Sequence, residues 1–294
     1  MSTDTVAAAP APNIALPHRR LLRRLATRSN VLVSLCLAFL VAVILGAALA
    51  PWIAPHDPNS IDFSTALADP SAHRLLGGDI SGRDTSSRLL TGARTSLLGP
   101  LCVVVLSTAA GLLIGVTAAW RGGAADTLLS RGSELLLAFP GLLLAMLLTA
   151  LYGRGLLAPV LALSVAYIPY VSRLSRSLAL SEMNKPYLAA YTIQGFSGRV
   201  VCLRHLMPNI IAVVLAQSAV NFGYALLDLA SLSYLGLGTP PLEPDWGSMV
   251  NDGQSAILQG SPLSAAVPCL AIVLTVVTFN VVGERVADTV ARRS

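Results

Sequence analysis

The chain alternates long charge-free apolar runs with shorter segments that hold nearly all of its charge. Val31–Ala50 runs for 20 residues without a charged side chain, and Leu97–Trp120, Leu135–Leu151, Gly155–Val171, Ile210–Leu227 and Pro262–Gly283 repeat the pattern. About 20 apolar residues carry a helix across the hydrocarbon of a bilayer, so the pattern predicts six spans. Pro169 is expected to break the fourth near its end, and the fifth runs on past Asp228 towards Leu237. Within the second, Gly111-Leu-Leu-Ile-Gly115 offers a face for close helix packing. Gly238–Ser261, with three acids and neither Lys nor Arg, reads as a loop.

Residues 1–17 are rich in Ala and Pro without periodicity and read as a disordered tail. His18–Arg28 carries Arg19, Arg20, Arg23, Arg24 and Arg28 on one side of a helix and Leu21, Leu22 and Leu25 on the other. A nucleic-acid arm could look like this, but the apolar run that follows at once favours an interfacial helix at the membrane surface. The apolar core is too long for a cleavable signal.

Composition sharpens the class. With 54% hydrophobic and 12% charged residues, the chain is not a soluble globular domain. A net charge of +5 does not imply nucleic acid, because the basic residues sit at the ends of apolar runs. Six spans with the N-terminus inside place 15 Lys and Arg residues on the cytoplasmic side and 5 outside, the orientation that the positive-inside rule selects. The resulting organisation is a tail (1–17), a basic segment with the first span (18–50), an extracytoplasmic loop (51–94) and a five-span core (95–294) with a cytoplasmic loop at 182–208. Cys36, Cys102, Cys202 and Cys269 form no C-x-x-C pair and read as small hydrophobes rather than a disulfide framework.

That cytoplasmic loop is a polar, partly basic stretch between two long apolar runs. Pro186 suits a first helical turn, Gly195 a helix stop, and Ser197 the cap of a second short helix ending before Pro208. Ala189 and Ala190 leave a face with little side-chain bulk, suited to another protein's close approach.

The spacing Ala189-Ala190, Gly195, Leu206 and Pro208 resembles the cytoplasmic coupling loop of permease subunits in bacterial ABC importers, although Leu188 stands where that pattern has Glu. Further stretches in the same order resemble the second (C-type) membrane subunit of dipeptide and oligopeptide importers, a pattern shared by nickel importers. These are Gly78–Asp84 with Ser87–Leu90 and Gly92–Leu97, then Glu134–Leu144 with Phe139-Pro140-Gly141, then Arg173 and Arg176, and finally Leu232–Gly238 with Pro240, Pro241, Pro244 and Trp246-Gly247.

The resemblance implies an all-α membrane protein with the six-helix type I ABC importer permease fold. It would work in the bacterial cytoplasmic (inner) membrane with both termini cytoplasmic. It implies a sister permease, two ATPase domains or subunits at the coupling loop and an extracytoplasmic substrate-binding protein. Leu188, Ala189, Ala190, Gly195, Arg204, His205 and Pro208 would form the ATPase contact. The missing carboxylate at Leu188 would leave that contact more apolar than is usual.

The chain has no phosphate-binding loop, since its sole lysine, Lys185, is followed by Pro186. ATP and Mg would therefore be held by the partner ATPases, and no catalytic or metal-ligating constellation is visible among His18, His56, His73 and His205. Asp228 is the acid deepest in an apolar run, preceded by Gln217, Asn221 and Tyr224. It reads as a translocation-path or gate residue able to meet a peptide's amino terminus, or else as one half of a structural pair. Trp246 reads as an interface anchor or a contact for a binding protein, and the charges of Asp79–Arg94 as solvated or mutually paired. The expected function is a noncatalytic permease subunit of an ATP-driven peptide importer. A permease for nickel or another small solute, and an ion-coupled secondary transporter, remain alternatives. A visible inverted repeat, which would favour the last of these, is missing.

Overall fold

Asp84, Pro140, Gly153, Gly195 and Asp245 punctuate the chain, each by its own chemistry. The computed structural model describes residues 18–153, 155–240 and 243–291, and the disordered reading of residues 1–17 lies outside them. Among the described residues ten α-helices follow one another: α1 (His18–Ile53), α2 (Thr85–Arg121), α3 (Gly123–Leu137), α4 (Gly141–Tyr152), α5 (Leu157–Met183), α6 (Pro186–Ile193), α7 (Gly198–Val201), α8 (Met207–Tyr234), α9 (Trp246–Leu258) and α10 (Leu263–Ala291). Among the described residues, five segments are long and apolar enough to cross a membrane, or six if the bent pair α3–α4 counts as one.

The second span begins well before its apolar run because Asp84 caps it. One carboxylate oxygen accepts from Ser87 N (2.9 Å), Ser86 Oγ (2.7 Å) and Ser87 Oγ (2.6 Å). Polar residues that look like loop in the sequence thereby become the buried first turn of α2.

The third span is not one straight helix. Leu135–Leu151 divides at Phe139-Pro140, where α3 and α4 meet at 75°. Pro140 has no N–H to give and disfavours helical geometry at the residue before it; its own backbone is extended (φ −60°, ψ 121°). At about 1.5 Å per residue the 12 residues of α4 span only ~18 Å, so a crossing needs both pieces. Pro169, by contrast, does not break the fourth span: α5 continues through it to Met183. It is buried in the helix packing, which compensates for the lost hydrogen bond.

α2 and α5 form the central pair. The expected small-residue face makes it possible: a methyl group at Gly111 would sit 2.6 Å from Val171 Cβ, and one at Gly115 would collide with Ser172 O. A core of Val103, Ala162, Leu163, Leu226 and Leu232 fills the space among α2, α5 and α8, while α1 lies outside against α2 and α10 with most apolar side chains facing outward.

The stretch read as the loop Gly238–Ser261 contains α9. Its start is a capping box, with Ser248 N on Asp245 Oδ1 at 3.0 Å and Ser248 Oγ close to the Asp245 backbone. Gly247 and Gly253 bring α9 against Ala230 of α8 and Ala265 of α10. Trp246 is accordingly neither a membrane anchor nor a free contact surface. It is 2% exposed, donates Nε1–H to Leu89 O (3.0 Å) and gives its backbone N–H to Ser96 Oγ (2.9 Å).

The acids and arginines at this end are mutually paired. Asp79 Oδ2 binds Arg83 Nε (2.7 Å) and Arg88 Nη1 (3.0 Å), while Asp252 Oδ2 on α9 binds the other nitrogen of each at 2.9 and 3.0 Å. Asp79 and Arg88 are buried, so charge neutrality within the group replaces water.

Candidate functional site

Two regions bring the sequence-predicted residues together: a cavity among the spans and the segment joining α5 to α8. On α8, Gln217, Asn221, Tyr224 and Asp228 follow one another at spacings of four, three and four, which puts them in one stripe. All four line a single cavity of ≈ 660 Å³. Tyr167, Tyr170 and Leu174 of α5 form a second wall, and the Phe139-Pro140-Gly141 break forms a third. The bend thus opens the space: a straight third span would carry its side chains past this point.

Asp228 is half-buried and accepts from the Tyr167 hydroxyl at 2.9 Å. Asn221 is buried, and its carbonyl oxygen receives Gln217 Nε2 at 3.4 Å. Tyr224 and Tyr170 are more than half exposed, with Tyr170 tilted against Tyr167 at 6.1 Å between ring centres. Asp228 therefore has a hydrogen-bond partner on α5 and also lines the cavity. Tyr167 and Tyr170 on the facing wall escaped the sequence reading, because within an apolar run a tyrosine carries no sign of the face it occupies.

The joining segment folds as expected at its start. Pro186 lies in the first turn of α6, and Gly195 (φ +84°) turns the chain out of it. The second half differs from expectation. Ser197 holds the N-cap position of α7 without a side-chain hydrogen bond, and α7 does not stop before Pro208. It passes through a π-helical turn, Cys202–Leu206, into α8, where Pro208 falls in the first turn. The widened turn, closed by Met207 N–H on Cys202 O, seats the proline without a break.

Ala189 and Ala190 are exposed on α6, and Ile193 beside them is 86% exposed. Arg204 and Pro208 are exposed as well, together with Leu203 and Phe196, which the sequence did not single out. A side chain at Gly195 would meet nothing within 4 Å in this chain. His205 is half-buried, its ring stacked on Tyr191 at 3.8 Å with Phe196 edge-on to Tyr191 at 5.6 Å. Leu188 does not share this surface. It is 4% exposed, in a second core with Val116, Ala179, Val201, Leu206 and Ile210. A carboxylate there would be buried without a counter-charge, which is why an apolar residue fits.

Beneath this surface lies a polar knot that the sequence did not announce. Glu182, at the end of α5, accepts from the Tyr187 hydroxyl (2.6 Å) and Asn209 Nδ2 (3.2 Å), while Lys185 Nζ sits 2.9 Å from its other oxygen. Burial and the Glu182 carboxylate push the Tyr187 phenol up to about 12, so it remains a donor throughout the neutral range.

Several helices able to cross a membrane, a polar-striped cavity among them and an exposed helical segment at one end define a membrane-embedded transport permease. Residues 111–294 match the family described as "Binding-protein-dependent transport system inner membrane component", and residues 19–70 match the "N-terminal TM domain of oligopeptide transport permease C". The chain belongs to this family of ABC transporter permeases. It is 37% identical over 275 residues to a Brucella suis protein assigned by name to a peptide transport system as its permease, covering 94% of this chain and 90% of the relative. The Di/tripeptide transport system permease protein of Pseudomonas aeruginosa is 35% identical over 258 residues (86% and 85% covered). The Glutathione transport system permease protein of Escherichia coli is 34% identical over 251 residues (85% and 82% covered).

Proposed function

We propose that this chain is the noncatalytic permease subunit of an ATP-driven importer of di- and oligopeptides in the bacterial cytoplasmic membrane. The observation that carries the reading is the convergence of Gln217, Asn221, Tyr224 and Asp228 on one cavity of ≈ 660 Å³, a volume in the range of small-ligand sites. Relatives named for peptide and glutathione transport support the substrate class. A sister permease completes the path, and an extracytoplasmic binding protein delivers the peptide. Two ATPase domains or subunits, holding ATP and Mg, dock at the segment 182–208.

In this assignment Ala189, Ala190, Gly195 and Arg204, with Ile193, Phe196 and Leu203, make the ATPase contact. His205 braces that surface by stacking on Tyr191. Pro208 sits where the contact segment becomes α8, and Leu188 anchors α6 from inside. Both termini and the α6–α7 segment lie in the cytoplasm in this reading, which the arginine distribution supports. The charge-paired end with α9 faces outward.

Purification of the tagged chain from native membranes in mild detergent tests this directly. Co-recovery of a second permease and P-loop ATPases, followed by ATP-dependent peptide uptake in proteoliposomes, is the expected result. A chain that purifies alone and moves solute down an ion gradient overturns the proposal.

A further inference from the structure

Asp228 is the one acidic or basic side chain lining the cavity among the described residues. Tyr167 satisfies its Oδ2 at 2.9 Å, whereas Oδ1 receives no hydrogen bond among the described residues. A carboxylate at membrane depth without a counter-charge is costly, and a cation brought to it recovers that cost. The surroundings select which cation. A hard metal ion needs six or more oxygen ligands, and this wall offers one carboxylate. An ammonium group needs less: one charge-assisted hydrogen bond, with aromatic faces nearby. Tyr167, Tyr170 and Tyr224 supply the rings, and the Gln217 and Asn221 amides lie one and two turns along α8, where a peptide's own amide groups would follow.

Resting on the peptide-permease reading, we propose that Asp228 is a transient binding station for the α-ammonium group of the substrate peptide, which enters the cavity with its amino terminus held at this carboxylate. A single charged contact suits transport, since a site on a path must release as readily as it binds.

The test uses the complete importer in proteoliposomes at saturating loaded binding protein, so that capture by the binding protein drops out. Uptake of a tripeptide with a free amino terminus is compared with its des-amino analogue, in the native protein and in Asp228→Asn, where Tyr167 can still donate to the amide oxygen. The expected result is that Asp228→Asn lowers maximal uptake of the free-amino peptide about tenfold, the scale of one charge-assisted contact. Uptake of the analogue and the half-saturating concentration of binding protein should stay unchanged, and Asp228→Glu should keep the preference.

An equal loss for both substrates would mark a structural carboxylate, paired for example with the sister subunit, and would overturn the proposal. Unchanged uptake of the free-amino peptide would overturn it too. So would a tenfold fall in native uptake when sodium is replaced by N-methylglucamine, because an inorganic cation would then occupy the site. If the native importer takes up no peptide at all, the peptide-permease reading itself fails, and the ligand assigned to Asp228 fails with it.

Discussion

The Tyr187 hydroxyl donates a 2.6 Å hydrogen bond to Glu182, and Asn209 Nδ2 reaches both of them, at 2.7 Å and 3.2 Å. Three elements meet in this contact: the end of α5, the short helix α6 and the start of α8. A force applied to α6 therefore enters two spans together.

Removing only the hydroxyl, in Tyr187→Phe, is expected to cost about 1.5–3 kcal/mol, the scale of a hydrogen bond to a charged group. Asn209 and Lys185 still hold Glu182, so the protein should fold and assemble. The number of peptides imported per ATP hydrolysed should fall, because α6 can then yield without moving the spans. Proteoliposomes in which uptake and phosphate release are measured together check this. An unchanged ratio would show that the knot serves folding alone.

Gly195 separates strain from contact. Its left-handed backbone (φ +84°) disfavours other residues, with Asn among the most tolerant, while space around it is open within this chain. Gly195→Asn should leave uptake within about twofold, as expected when strain alone is added. Gly195→Trp should insert normally, since its space is open in this chain, yet lose uptake and ATPase binding if the proposed ATPase contact forms there. Equal behaviour of the two variants would remove Gly195 from the ATPase contact.

At the opposite end, Arg88 is 3% exposed and joins Asp79 to Asp252 on α9. Arg88→Ala leaves Asp79 buried with half of its compensation gone, at an expected cost of about 3–5 kcal/mol. Asp252→Asn should cost about 1 kcal/mol, because Asp252 is a third exposed and water replaces what is lost. Thermal unfolding in detergent would rank the two, and the reverse order would contradict the burial seen here.

Asp84 gives a pH prediction. Burial alone would raise its carboxyl, but the hydrogen bonds from Ser87 and Ser86 outweigh burial and hold it below the ordinary value. A depressed folded value means stability that is present above the unfolded aspartate range, about pH 4, and lost as pH falls through the folded value. Asp84→Ala should therefore lower stability by about 1–2 kcal/mol at pH 7, with the gap to the native protein narrowing below about pH 4. A gap independent of pH would assign the effect to packing instead.

Hydropathy made the spans legible, and the Gly111–Gly115 spacing made the α2–α5 contact legible, because both depend on side-chain size and polarity at fixed intervals. What stayed hidden depends on geometry between distant residues. Arg88 and Asp252 lie 164 positions apart, and nothing local says that they meet. Pro140 and Pro169 look alike inside apolar runs, yet one bends the chain and the other is absorbed by its packing. The cavity-lining stripe on α8 was partly readable, since its four residues recur at helical spacing. The tyrosines opposite were not, because in a membrane-spanning helix both faces are apolar and periodicity loses its meaning. α9 was missed although Asp245 and Ser248 spelled its capping box, since the lack of apolar length was read as lack of structure.

The unbroken passage of α7 through the π turn into α8 has a mechanical consequence. Gly198–Tyr234 is 37 residues long, a rod of about 55 Å at 1.5 Å per residue. A swing of roughly 5° about its centre moves each end by about 2 Å, close to the width of a hydrogen-bonding contact. A rod turning about its middle, where Gly283 of α10 packs against Ala216 and Ala219, carries a push on the α7 end to Asp228 in the reverse sense and, through the shorter arm, at reduced amplitude.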